Sequence, residues 1–297
     1  MQDAPRRRAS EVRFEEHREA LEPLMAWVSD NGRLPEHDEF DADAVVASFG
    51  SLARAFALIR RITGEADWEN ARRLRSEDLL VYMALAKFRR RPRISQLPMT
   101  LQRDIRAFFG TYKNGCEKAD ELLYRAGNSD AIDEACKASV LGKVLPNALY
   151  IHRCAVNDLE PLLRVYEGCA RSYLGEIEDA NIVKLHRFSG KVSYLAYPGF
   201  ETDPHPPLMR SVKLSLRSLE LNCWDYLDSE NPPILHRKEA FLPKEHPLSS
   251  KFARLTKQEE RHGLLDETAT IGTRNGWNAR LEERGVELRG HRVVKRR

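Results

Sequence analysis

The chain has 297 residues, 42% of them hydrophobic and 31% charged, enough apolar material for one large core or two modest ones. Its 48 basic and 45 acidic side chains nearly cancel to +3, so net charge alone indicates no nucleic-acid partner and the placement of the basic residues must decide. No apolar run reaches the length of a membrane span, and the charged start, Met1 to Arg8, has no apolar stretch behind it to make a signal peptide; the expectation is a cytoplasmic protein.

Residues 1–15 read as a linker-like N-terminus. From residue 16 to 140 apolar residues recur at helical spacing: Leu21, Leu24, Met25 and Val28, then Leu52, Phe56 and Ile59, then Leu79, Tyr82, Met83 and Leu85. Asn31-Gly32, Gly64, Arg91-Pro92, Pro98 and Gly127-Asn128 mark helix ends or turns. Laying Leu21–Gly64 over Leu80–Gly127 reveals two weakly similar trihelical repeats. Leu34-Pro35 matches Leu97-Pro98, and Phe49-Gly50-Ser51 matches Phe109-Gly110-Thr111. In each step Phe fills the core of the unit, Gly permits the tight turn, and Ser or Thr can cap the next helix.

The texture changes near Ser139–Gly142, and residues 141–297 read as an α+β domain with a small antiparallel sheet and C-terminal helices. Pro161 opens a helix to about Leu174. A hairpin follows, Asn181–His186 and Lys191–Tyr197 around Phe188-Ser189-Gly190. Val212, Leu214 and Leu216 alternate with Lys213, Ser215 and Arg217, and Leu219, Leu221 and Cys223 continue as a further strand. Ser249 or Ser250 should cap a helix to His262, and Thr273 another that ends at Gly285.

Chemistry-bearing patterns are sparse. No glycine-rich loop is present to hold a nucleotide or S-adenosylmethionine, so no cofactor is expected. The cysteines, scattered without a Cys-x-x-Cys pair, read as reduced and mostly buried thiols. Histidine stands beside arginine at His152-Arg153, His186-Arg187 and His236-Arg237-Lys238. Guanidinium forks and imidazoles suit a phosphate diester, although strand-end residues satisfying backbone groups would look the same. No His-x-x-x-His or His-x-His spacing argues for metal. Asp203, Lys238 and Glu239 lack the Glu-x-Lys order of a restriction nuclease core, which leaves metal-assisted phosphodiester hydrolysis a weak alternative. Asn231-Pro232-Pro233-Ile234 lacks the aromatic residue of a base-flipping methyltransferase motif and reads as a turn before a buried strand. Other basic clusters stand at Arg6-Arg7-Arg8, Arg89-Arg90-Arg91 and Lys295-Arg296-Arg297.

The helical repeats are similar to small modules found beside homing endonucleases, which implies phosphate contacts from Arg54, Arg60 and Arg61, with Lys113 and Lys118 in the second copy. Longer tracts carry a second resemblance: Gly142-Lys143-Val144-Leu145-Pro146-Asn147-Ala148-Leu149-Tyr150-Ile151-His152-Arg153, Leu163 to Arg171, Val192-Ser193-Tyr194-Leu195-Ala196-Tyr197-Pro198, Asn231 to Glu239, Lys251 to Thr256, Ile271 to Arg274 and Leu288 to Arg292. Together these resemble the methyltransferase family associated with DNA phosphorothioation, bacterial proteins that accompany systems placing sulfur in the DNA backbone. Members usually begin with a class I methyltransferase domain, and this chain is similar to the region that follows it. The resemblance implies an accessory protein whose partner is DNA, plain or phosphorothioated. Alternatively, it implies a module that docks to a separate methyltransferase or to the sulfur-modification machinery. It carries no catalytic residue onto this chain. The contact candidates are therefore Arg54, Arg60, Arg61, His152, Arg153, His186, Arg187, His236, Arg237 and Lys238.

Overall fold

A computed structural model describes residues 9–296. The chain is α+β and forms two compact units, Met1–Asp120 and Glu121–Arg297. Arg6-Arg7-Arg8 and Arg297 lie outside the described residues.

The first unit contains α1 (Ala9–Glu16), α2 (Arg18–Asn31), α3 (Asp43–Phe49), α4 (Leu52–Thr63), α5 (Ala66–Leu85), α6 (Met99–Phe109) and most of α7 (Tyr112–Arg125). Helices α2–α4 and α5–α7 repeat one order of features, with a Leu-Pro step before the middle helix of each copy. Phe49 and Phe109 end the middle helices, Gly50 and Gly110 follow at φ +76° and +74°, a region L-residues avoid. Ser51 Oγ then accepts from the Arg54 N–H and Thr111 Oγ1 from the Asn114 N–H, satisfying donors that a helix start leaves unpaired. Leu21, Leu24, Val28, Phe49, Ala55 and Ile59 form the core of the first copy.

One buried cation joins the copies. Arg33, at the Leu-Pro step of the first, donates from Nε to Asp104 on α6 at 2.6 Å and grips Glu39 with both terminal nitrogens at 2.7 and 2.8 Å. All three side chains are less than a tenth exposed. Arg33 beside it holds the Glu39 carboxyl down at about 2.

Two expectations differ from this arrangement. Residues 9–15, read as linker, belong to α1, which buries Phe14 in the first core; a helix with one buried apolar residue leaves no periodic signal. The division also falls at Asp120/Glu121 rather than near Ser139–Gly142. Helix α8 (Ser129–Ala138) packs with α9 (Pro161–Leu174), and its Asp133 takes both Nε and Nη2 of Arg187 at 2.6 Å, so this helix belongs with the sheet.

The second unit is built on a six-stranded antiparallel sheet in sequence order, β1 (Lys143–Leu145), β2 (Ala148–His152), β3 (Ile182–His186), β4 (Lys191–Ala196), β5 (Arg210–Ser215) and β6 (Leu221–Asp225). One face is apolar: Leu149, Ile151, Val183, Leu185, Val192, Val212 and Leu214 are buried. Helix α9 lies on this side, where Tyr194 donates from its hydroxyl to Glu167 at 2.9 Å. Against part of the opposite face pack Phe200, Phe241, Leu242 and Phe252, which bury Ile182 and Leu195. Helices α10 (Ser249–Arg261) and α11 (Arg274–Glu283) and a ribbon of β7 (Val286–Leu288) and β8 (Val293–Lys295) complete the unit around Leu264, Ile271 and Trp277.

The hairpin, the β5–β6 pair and α9 lie where the sequence places them. Strands β1, β2, β7 and β8 were not anticipated. Thr273 caps α11 by accepting from the Gly276 N–H, whereas α10 begins at Ser249 with Leu248 as its cap, the Leu248 N–H donating to His246 Nδ1. Ile234 is buried through isolated bridges that pair it with Pro207, and Pro233 with Thr273, rather than through a strand. All five cysteines are free, and Cys154 and Cys223 are exposed.

Candidate nucleic-acid interface

Antiparallel register determines which side chains share the second face of the sheet, because alternate residues of each strand point the same way. Pairing places Lys143, Tyr150, Lys184, Ser193, Lys213 and Asn222 in one row across all six strands. The neighbouring row runs His152, Ile182, Leu195, Ser211 and Trp224. On the other side His186 pairs with Ala148, and Lys191 with Ser215. Among these strand positions the charged residues are lysines, and none is acidic; Glu220, in the turn before β6, stands at the margin.

Part of this face stays open as a trough of about 340 Å³. Its floor is made by buried Ser193 and Ser211, whose short side chains leave space between taller neighbours. Lys184, Lys213, Tyr150, Trp224 and Tyr226 rise around them. Lysine and aromatic alternate in contact: Lys184 Nζ lies 5.0 Å from the Tyr150 ring centre and Lys213 Nζ 4.3 Å from that of Trp224, distances of cation–π attraction. Trp224 keeps 38% of its surface exposed.

His186 Nε2 lies 3.0 Å from Ser193 Oγ. Burial, followed by Lys184, Lys213 and Lys191, pushes the His186 imidazole down to about 4. At neutral pH the ring is uncharged, so positive potential on this face comes from lysine. His152, at the covered end, packs 4.7 Å from the Phe200 ring and is likewise lowered to about 4, chiefly by burial.

The remaining candidates do not converge on this face. Arg187 is buried and committed to Asp133 and to the carbonyls of Leu145 and Pro146. Arg153 donates to the Glu178 and Ala180 carbonyls and lines a separate cavity of about 380 Å³ with Glu167 and Arg171. His236, lowered to about 3 by burial, faces the Ile271 carbonyl and packs at a tilt against His205 and edge-on against Trp277. Arg237 pairs with Glu260 at 2.6 Å. Lys238 is buried, donates to the Phe200 and Asp203 carbonyls and sits 3.9 Å over the Phe252 ring; burial pushes its ammonium down to about 7. These residues tie loops to the C-terminal core, so the His-Arg tracts form no single shared anion site.

In the first unit Arg54 and Arg61 are exposed on α4, while Arg60 pairs with Glu65 at 2.7 Å. Arg60 also lines a cleft of about 930 Å³ with Arg33, Arg72, Arg103, Arg106 and Trp68. Lys113 faces Glu117, and Lys118 lies 5.9 Å from the Phe109 ring centre.

Sequence reasoning missed Lys191, Lys213, Trp224 and Tyr226 as a group. The polar half of each strand's alternation was visible, but only the register aligns Lys184, Ser193 and Lys213. Among the described residues no group of three or more His, Cys, Asp or Glu could hold a metal ion, and no helix is long and apolar enough to cross a membrane. No family model matches the chain, and no match exists among curated proteins or solved structures.

Proposed function

We propose that the protein is a DNA-associated accessory component of a bacterial phosphorothioation system and holds nucleic acid on the second face of its sheet. The observation that carries this reading is the charge of that face, where Lys143, Lys184, Lys191 and Lys213 stand among Tyr150, His186, Trp224 and Asn222 with no acidic residue at its strand positions; Asp225 of β6 pairs with Arg210 in the register of the other face. Such one-sided charge over neutral serines and aromatics suits a polyanion that also presents flat rings. The modification-system context comes from the tract resemblance, and plain and sulfur-substituted DNA are both candidate ligands. Exposed Arg54 and Arg61 on α4 are a second place where phosphates could meet the chain.

The test is a mobility-shift titration of the whole chain with plain and phosphorothioated DNA, single- and double-stranded, at low and moderate salt. Binding weakened by salt and lost in the Lys184→Glu/Lys213→Glu double variant is expected. No shift with any of these DNAs would sink the proposal.

One observation favours docking to a separate methyltransferase or to the sulfur-modification proteins. Strand β6 is an open edge, with Leu221 48% and Leu227 beyond it 67% exposed, and an unpaired edge accepts a strand from another chain. Co-purification with those proteins that survives nuclease treatment and is lost on Leu221→Lys would support this role.

A further inference from the structure

Resting on the nucleic-acid reading of this face, we infer that its ligand is a single strand, whose unpaired bases enter the trough and stack beside Trp224, Tyr226 and Tyr150. The shape of the trough points this way. The aromatic rings flank a recessed floor of Ser193 and Ser211 instead of projecting from a ridge. In a duplex the flat faces of the bases are stacked on one another, and only their edges reach the grooves; a recess offers nothing that could enter a groove and read them. An unstacked strand has free base faces and a backbone that can follow a curved sheet.

The lysines are placed for such a strand. Lys184 and Lys213 flank Ser193 in the same cross-strand row, and Lys191 lies on the same face one residue pair away. Lys184 and Lys213 line the trough itself together with His186, and Lys191 stands in the row next to theirs. Stacked bases on Trp224 would leave phosphates on that side. His186 lines the trough as a neutral polar group for base edges, and the short side chains of Ser193 and Ser211 leave room above the floor for a ring. Lys213 already sits against the Trp224 ring, and a base would stack beside that pair or move the flexible ammonium toward a phosphate.

The probes are fluorescently labelled oligothymidylate, oligouridylate, an abasic strand of equal length, and a mixed-sequence duplex, each titrated by anisotropy. The strands carrying bases should bind at least about tenfold more tightly than the duplex and the abasic strand, and comparison of the thymidylate with the uridylate identifies the favoured sugar. Trp224→Ala should weaken binding to the base-carrying strands roughly 5- to 100-fold and leave abasic and duplex binding unchanged. Trp224→Phe, which keeps a stacking ring, should retain most of the affinity. Melting curves of both variants check that the fold is intact, since Trp224 is an exposed-edge residue. Equal binding of all four probes, unaffected by Trp224→Ala, overturns the single-strand inference while leaving the lysine face as a nucleic-acid surface. Absence of binding to every probe overturns both.

Discussion

Lys184, Lys191 and Lys213 set a measurable salt dependence. Each phosphate neutralised on a single strand releases counterions and adds about −0.7 to the slope of log affinity against log salt concentration. Lys184 and Lys213 line the trough and Lys191 stands in the next row of the same face, so the share of the slope for all three is about −2, and affinity should fall roughly 20-fold between 50 and 200 mM salt through these contacts alone. Replacing Lys184 and Lys213 by Gln removes two of the three and should flatten the slope by about 1.4. Lys143 is left out of the sum because it is packed against Phe241 and burial lowers its pKa. The assay is anisotropy with an oligothymidylate at a series of salt concentrations, for wild type and double variant. A slope change below about 0.5 would refute the phosphate contacts, even if overall affinity dropped, because lost packing changes the intercept and not the slope.

Arg33→Met leaves Asp104 buried without its cation and Glu39 with Arg103 alone, and should cost the first unit about 3–5 kcal/mol, read by urea denaturation; a loss under about 1 kcal/mol would contradict the joining role. His152, His186 and His236 are held at about 4, 4 and 3, below the ordinary 6.5. Unfolded chains therefore bind protons first, and the stability these rings contribute is present above about pH 6.5 and lost as pH falls toward 4. Melting temperatures of wild type and His186→Gln at pH 7 and pH 5 should show a smaller acid loss in the variant. At Gly142, φ is +78° and an added Cβ would collide with the Tyr150 carbonyl oxygen. Gly142→Ala should destabilise the second unit by about 1–3 kcal/mol, measured by thermal melting.

Much of the architecture was legible from local chemistry. The Phe-Gly-Ser/Thr steps, Pro161 at a helix start, the Phe188-Ser189-Gly190 turn and Thr273 as a cap each declare themselves within a few residues. Elements without such punctuation or a clean period stayed hidden. Helix α5 begins at Ala66, yet its first half is polar and its buried residues start at Leu79. Strand β2 is nearly continuous in apolar residues, a pattern that helix and strand share, and β7 and β8 are three residues each. The candidate site was the least legible because it depends on pairing. His186 and Lys184 stand near one another in sequence, but Lys213 and Trp224 join them only through the β3–β4–β5–β6 register. Histidine-arginine adjacency misled for the same reason, since His186 faces the trough while Arg187, one residue on, turns to Asp133.

The link between the helical copies is asymmetric. Aligning the Leu-Pro steps puts Gln96 where the first copy has Arg33, and aligning the Phe-Gly steps puts Ala44 where the second has Asp104. For this buried Arg33–Asp104 pair the first copy supplies the donor and the second the acceptor, while Arg103 of α6 reaches back to Asp38 and Glu39 of the first copy. The two copies are thus joined by charges that their own alignment does not repeat, and the duplication has a direction, a head and a tail that cannot be exchanged.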